Sequence, residues 1–340
     1  MMSVIVPVYN SSRDLERCLA ALSASRFDDF EVWVVDDGST EPLEDLVRRH
    51  GFHYLRIRGP GGPARARNRA AVKSNAEYLM FVDADVLVHE DTLERVVDAF
   101  DADPEVVAVI GSYDDLPDDP GFISQYKNIF HHFVHQDSRG DVPTFWSGCG
   151  AMRRSTFVDF GGFDEERYRR PAIEDIELGT WVSSAGHRIL LDPGIQCRHL
   201  KRWTFLGMLR ADVFGRGIPW TSLMIRAGAA ANTLNVKGSQ RLSVALVCLA
   251  VATMVAAVWF PAAWLAAGAM LAVAVVLNRD FYAYFAEKKG WWFAIRVFPL
   301  HILYFLYCGI CVIGGTLSHY VSREKTGPPA RRPLADSHEA

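Results

Sequence analysis

Through roughly the first 200 residues, short apolar runs alternate with amphipathic segments. Ser3–Val8 (SVIVPV) and Phe30–Val35 (FEVWVV) are β-branched runs with the bulk of buried strands, and Phe52–Ile57 and Tyr78–Val82 continue the series. Between them Leu15, Cys18, Leu19 and Leu22 recur at helical spacing. Pro42–His50 predicts a second helix, and Ala64–Ser74 a basic third one behind the Gly- and Pro-rich loop Gly59–Pro63. Asp91–Phe100 reads as another helix, with strands at Val106–Ile110 and Ile189–Leu191. This alternation predicts an α/β domain with a Rossmann-like, mostly parallel sheet and helices on both faces. In such a domain the loops after the strands carry the chemistry.

After residue 200 the pattern changes. Arg202–Arg226 mixes Trp203, Phe205, Leu206, Leu209, Val213, Phe214 and Trp220 with arginines, which suits either an interfacial helix on anionic headgroups or an ordinary domain helix. Leu242–Leu277 carries no charged residue. As one helix it would reach about 54 Å, against a hydrocarbon core of about 30 Å. Two spans are therefore expected, 242–260 and 262–277, turning at Pro261 between Trp259 and Trp264. Arg226, Lys237 and Arg241 before the hairpin and Arg279, Lys288 and Lys289 after it place both ends, and the α/β domain, on the cytoplasmic side. A third segment, 297–318, is long enough to cross. A re-entrant path bent at Gly314 and Gly315 would instead keep Arg323, Lys325, Arg331 and Arg332 inside. The expected plan is an α/β domain at 1–200, an interfacial segment at 201–240, membrane helices at 241–320 and a disordered tail at 321–340.

Composition narrows the partners. The chain has 340 residues and a formal net charge of −4, with no basic stripe interleaved with aromatics, so nucleic acid is not expected as a partner. The six cysteines lack metal-site spacing, and the C-x-x-C of Cys308 and Cys311 lies in an apolar stretch that favours packing. Met1 leads directly into a strand without a signal-peptide pattern, which again puts the α/β domain in the cytoplasm.

Two acidic constellations carry the candidate chemistry. Asp83 and Asp85, separated by Ala84, end the apolar run Tyr78–Val82. They can hold Mg²⁺ or Mn²⁺ and leave room for phosphate oxygens, which points to a nucleotide-diphosphate partner, or they form a solvated turn. Glu174 and Asp175 precede the apolar-periodic Ile176, Leu178, Trp181 and Val182, hence a helix start. There they serve as caps, or Asp175 as a general base. His131 and His135 at i, i+4 lack the glutamate and third ligand of a zinc site. Phe145–Arg154 (FWSGCGAMRR) reads as a cover over substrate or a tight turn, and His199 as a structural histidine or a residue near the metal.

Together VIVPVYN (Val4–Asn10), VVDDGST (Val34–Thr40), ARN (Ala66–Asn68), DAD (Asp83–Asp85), GGFDE (Gly161–Glu165) and ED (Glu174–Asp175) resemble the family 2 glycosyltransferases. These are inverting enzymes of the GT-A fold that use nucleotide-diphosphate sugars. The resemblance implies that Asp37 accepts from the nucleotide base and that Pro7, Val8 and Tyr9 line the same pocket. It places Arg67 at base or phosphate, Asp83, Ala84 and Asp85 at ribose and metal, and His199 as a late metal ligand. Asp175, with Glu174 beside it, would activate the acceptor hydroxyl. Glu41, Ile173 and Trp181 depart from the usual pattern, and Gly215–Trp220 reads GRGIPW where processive synthases carry Q-x-x-R-W. The expectation is transfer of one sugar to a lipid or polyprenyl-linked acceptor at the cytoplasmic face of the cell membrane, a step in glycolipid synthesis. The rivals are a processive polysaccharide synthase and a non-catalytic nucleotide-sugar scaffold.

Overall fold

Strand β1 (Met2–Val8), buried at every residue but Pro7, lies inside the sheet because its continuous apolar run can face helices on both sides. The computed structural model describes residues 1–228, 234–322, 327 and 334, and it separates into one unit built on Met1–Thr204 and another on Phe205–Thr326. In the first unit β1 is followed by α1 (Ser12–Ser23), β2 (Phe30–Asp36), α2 (Glu44–Arg49), β3 (His53–Arg56), α3 (Pro63–Lys73) and β4 (Tyr78–Val82). Then come β5 (Val86–Val88), α4 (Thr92–Ala102), β6 (Val106–Tyr113), α5 (Phe122–Gln136), β7 (Gly140–Asp141), β8 (Cys149–Arg153), α6 (Arg154–Asp159), α7 (Glu174–Ser184) and β9 (Arg188–His199).

The sheet order is β3-β2-β1-β4-β8-β6-β9-β5, with β7 on β9. The first four strands are parallel, as the alternation predicts, while β8 runs antiparallel to both β4 and β6 and β5 antiparallel to β9. The mostly parallel sheet is thus a mixed one on its second half. On one face the apolar stripe of α1 (Leu15, Cys18, Leu19, Leu22) and Leu93, Val96 and Phe100 of α4 join Val4, Val6 and Val34 in one core. On the other, Phe81 packs among Phe145, Phe157 and Phe163, and full burial of one such ring is worth about 2–3 kcal/mol in transfer free energy.

Topology decides where ligands can enter. The ladder of β1 with β2 runs from Met2 to Val8, but that with β4 stops at Ile5 and Phe81. Pro7, which lacks an N–H, follows that stop, and the carboxyl ends of β1 and β4 are left unpaired with each other, the place where sheets of this kind bind ligands. Strand β9 is longer than the expected Ile189–Leu191: its 12 residues continue through Pro193 and Gly194, so His199 is its last residue and pairs with Val86. Gly111 makes this possible, since a Cβ there would lie 2.5 Å from the Ile195 carbonyl.

The second unit contains α8 (Phe205–Arg210), a π-helical turn (Ala211–Gly217), α9 (Ile218–Ala227), a 3-10 turn (Leu234–Val236), α10 (Gly238–Ala256), α11 (Ala263–Leu277), α12 (Arg279–Lys289) and α13 (Trp291–Val321). The helix expected at Arg202–Arg226 runs without a gap from Phe205 to Ala227 and is wound as a π-helix over Ala211–Gly217. The expected break near Pro261 is present. Helices α10 and α13 are each long and apolar enough to cross a membrane. The 15 residues of α11 reach only about 22 Å, short of the roughly 30 Å core, so the span expected at 262–277 is too short alone. It ends at Asn278, whose Nδ2 donates back to Ala274 O (2.7 Å) and to Ser243 Oγ (2.8 Å), and the chain bends by 62° into α12.

The bend considered at Gly314 and Gly315 does not occur. Helix α13 continues through both glycines, whose missing side chains admit Ile218 and Thr221 of α9. Gly217 faces Cys311 and Gly309 faces Cys248 in the same way, the close approach that small residues allow between membrane helices. All six cysteines are free. The disorder expected from residue 321 onward falls almost entirely outside the described residues.

Candidate active site

The nucleotide end forms where β1 and β2 stop. Asp36 is fully buried and structural: its Oδ1 accepts from Ser39 N (2.7 Å) and its Oδ2 from Tyr54 Oη (2.7 Å). Asp37 turns the other way, accepting from Gly61 N (2.9 Å) and Gly62 N (2.7 Å), so it holds the Gly-rich loop in place. Burial pushes its carboxyl upward against the pull of those N–H groups and Arg65. Gly62 sits at φ 93°, with no room for a Cβ beside the Arg169 backbone. Pro7 and Val8 end the strand beneath, and Tyr9 is 52% exposed at the rim.

Arg67 lies deeper than its basic helix suggests. It is 3% exposed and donates to Asp83 Oδ1 (2.6 Å) and Glu174 Oε1 (3.0 Å), joining the two acidic constellations. Burial pushes both carboxyls up and Arg67 pulls both down, with the net upward. Helix α3 faces its polar groups inward here because Asn68 beside Arg67 also pays its desolvation in bonds, to the Phe163 backbone and Glu165.

Asp85 faces His199, with Oδ2 3.5 Å from Nε2. His199 Nδ1 lies 2.7 Å from Asn128 Oδ1, an acceptor, so Nδ1 carries a proton, and Nε2 faces the carboxylate. Tyr113 stacks on the ring at 4.4 Å. Burial alone would raise Asp85, but His199 and Lys201 outweigh it and hold it below the ordinary carboxylate range. A carboxylate oxygen and a ring nitrogen facing each other at this separation would fit one divalent cation, which would take the place of any proton on Nε2. Among the described residues no group of three His, Cys, Asp or Glu side chains is gathered for a metal, so further ligands would be water or phosphate oxygens.

Asp175 stands in the first turn of α7. Its Oδ2 accepts from both Ser147 N and Ser147 Oγ at 2.8 Å, and its Oδ1 from Ile176 N at 2.8 Å.

The structure therefore brings Asp83, Arg67 and Glu174 into one network, buried at Arg67 and Glu174 and partly open at Asp83, and Asp85 and His199 into a second pair. Sequence reasoning missed Ser147 and Asn128. Ser147 lay inside the small-residue stretch FWSGCG, a usable signal, whereas nothing local marked Asn128. The other α5 histidines anchor the helix to β6: His132 Nδ1 bonds Tyr113 O and His135 Nδ1 bonds Gly111 O.

A sheet of this order, with paired carboxylates at the end of β4, is that of the GT-A fold. Residues 3–161 match Glycosyl transferase family 2, and the protein carries a glycosyltransferase domain of that family. Similar proteins include poly-beta-1,6-N-acetyl-D-glucosamine synthase of Staphylococcus aureus (strain COL), 23% identical over 62% of this chain and 53% of that one. Another is the pre-mycofactocin glycosyltransferase of Mycobacterium tuberculosis (strain CDC 1551 / Oshkosh), 29% identical over 56% of this chain and 41% of that one. The chain spans about half the length of these curated relatives or less. Among solved structures, the mannosyltransferase PcManGT from Pyrobaculum calidifontis in complex with GDP-Man and Mn²⁺ has a similar fold. Its TM-score is 0.60 at 22% identity, covering 95% of this chain and 88% of that one.

Proposed function

We propose that the protein is a membrane-anchored inverting glycosyltransferase that moves one sugar from a nucleotide-diphosphate sugar to a lipid or lipid-linked acceptor at the cytoplasmic face. The observation that carries the acceptor class is the second unit. Leu265, Ile310, Ile313 and Leu317 lie outward on its helices and Val258, Trp259 and Phe260 in the turn between α10 and α11, each more than half exposed, a surface suited to lipid.

At the nucleotide end, Asp37 and the Pro7–Tyr9 segment receive the base, while Asp83 serves the ribose. Asp85 and His199 would hold Mg²⁺ or Mn²⁺, which when bound offsets the charge of the leaving diphosphate. Asp175 takes the proton of the acceptor hydroxyl as its oxygen attacks the anomeric carbon from the face opposite the diphosphate. The anomeric C–O bond breaks, and its electron pair leaves with the nucleoside diphosphate. Arg67 and Glu174 hold the two halves of the site at their spacing rather than touching substrate.

Mass spectrometry of membrane lipids with active protein and with Asp175→Asn tests this reading. A lipid that gains one sugar mass only with active protein supports it. Unchanged lipids together with a soluble glycosylated product overturn it. The second reading, a processive synthase, rests on the resemblance to the staphylococcal synthase. A ladder of product lengths instead of a single addition would select it.

A further inference from the structure

Two contacts tie the start of α7 to the segment that crosses from α5 to β8. One turn beyond Asp175, Gly179 lies so close to that segment that a Cβ would fall inside the Phe145 backbone nitrogen. At Asp175 itself the segment donates twice, from Ser147 N and Ser147 Oγ, to the same oxygen. The segment's far end reaches the donor side, where Asp83 N donates to Gly148 O (3.4 Å) and Cys149 pairs with Val82. Ser147 is 2% exposed, and Phe145, fully buried, sets its ring against Phe81.

Each carboxylate oxygen offers about two lone-pair directions. Ser147 uses both on Oδ2. On Oδ1, Ile176 N uses one. We propose that Ser147 is a positioning residue that locks the Asp175 carboxylate by occupying Oδ2, so that Oδ1 is the atom that takes the acceptor's proton. The inference rests on the reading of Asp175 as the base. In the transfer step the acceptor O–H bond breaks with its proton passing to Oδ1, the new bond to the anomeric carbon forms, and the diphosphate leaves. Without the Oγ–H, only the Ser147 and Ile176 N–H groups hold the carboxylate, which is freer to turn about χ2 and carry its lone pair off the line of attack, an error of orientation to which proton transfer is steeply sensitive.

The full chain in detergent, with GDP-mannose or UDP-N-acetylglucosamine as donor, Mn²⁺, and a polar-lipid extract as acceptor, tests the assignment by release of nucleoside diphosphate. Calorimetric binding of GDP and UDP and the thermal midpoint are measured alongside. Ser147→Ala is expected to lower kcat about 10- to 100-fold, the worth of one hydrogen bond to a charged group. Donor KM, nucleotide binding and the midpoint should remain near wild type, and Ser147→Thr, which keeps the hydroxyl, should recover most of the rate. Wild-type kcat in Ser147→Ala overturns the proposal, as does a loss that appears equally in nucleotide binding and the midpoint. Wild-type turnover in Asp175→Asn overturns the base reading beneath it, a pattern distinct from an intact Ser147→Ala beside an inactive Asp175→Asn.

Discussion

Arg67 Nη1 lies 3.0 Å from Glu174 Oε1, although the two residues are 107 positions apart and both are buried. The second arm of the guanidinium holds Asp83. Removing the arginine leaves one carboxylate buried without its partner and another losing an ion pair. Arg67→Met is expected to destabilise the protein by about 3–5 kcal/mol, whereas Glu174→Gln, which leaves no orphan charge, should cost less. Denaturation of the detergent-solubilised chain measures both. Equal, small losses would show that the pair contributes little.

The Asn128–His199 bond gives the proposed cation site its own signature. Asn128→Ala leaves the metal-facing Nε2 in place but frees the ring to turn and to change tautomer. Mn²⁺ affinity should fall about 10- to 100-fold, read from the Mn²⁺ dependence of nucleotide binding. Chelation of the metal in the wild-type protein should weaken GDP and UDP binding in the same assay.

His135 gives the stability a dependence on pH. Burial pushes its imidazole down to about 4, the Gly111 carbonyl partly opposes this, and His132 adds to it. The rings of His131 and Trp146 also face it. In the unfolded chain it titrates near 6.5, so below that pH the unfolded state binds a proton that the native state refuses. The contribution is complete above about pH 6.5 and is lost as pH falls toward about 4, amounting to about 2 kcal/mol at about pH 5. His135→Gln, whose amide can still donate to Gly111, should remove that share of the acid sensitivity. Parallel slopes for the two proteins would dismiss the assignment.

Gly179 is set by contact, not by backbone angle. Gly179→Ala forces α7 away from Phe145 and should cost about 1–3 kcal/mol or more. Turnover should fall further than stability alone explains, because the displaced helix carries Asp175. A variant of normal midpoint and normal kcat would show that the segment yields without moving the helix.

Much of this was written locally in the chain. Strand and helix order, Asp83–Asp85 at a strand end, Glu174–Asp175 at a helix start and the apolar character of residues 242–277 all follow from periodicity and composition, which act over a few residues. The pairings did not. Arg67 with Glu174, His199 with Asn128 (71 positions) and Asp175 with Ser147 (28 positions) depend on β8 entering antiparallel beside β4 and on β9 returning to β5. A helix full of arginines gives no sign that one of them is buried, because the carboxylates that make burial tolerable come from other elements. Hydropathy likewise measured the apolar length near residue 277, but the 62° bend falls at Asn278, which meets Ser243 across the helix pair. Local sequence determined which elements form and which of their ends carry charge. Long-range strand order and side-chain desolvation decided which of those charges meet.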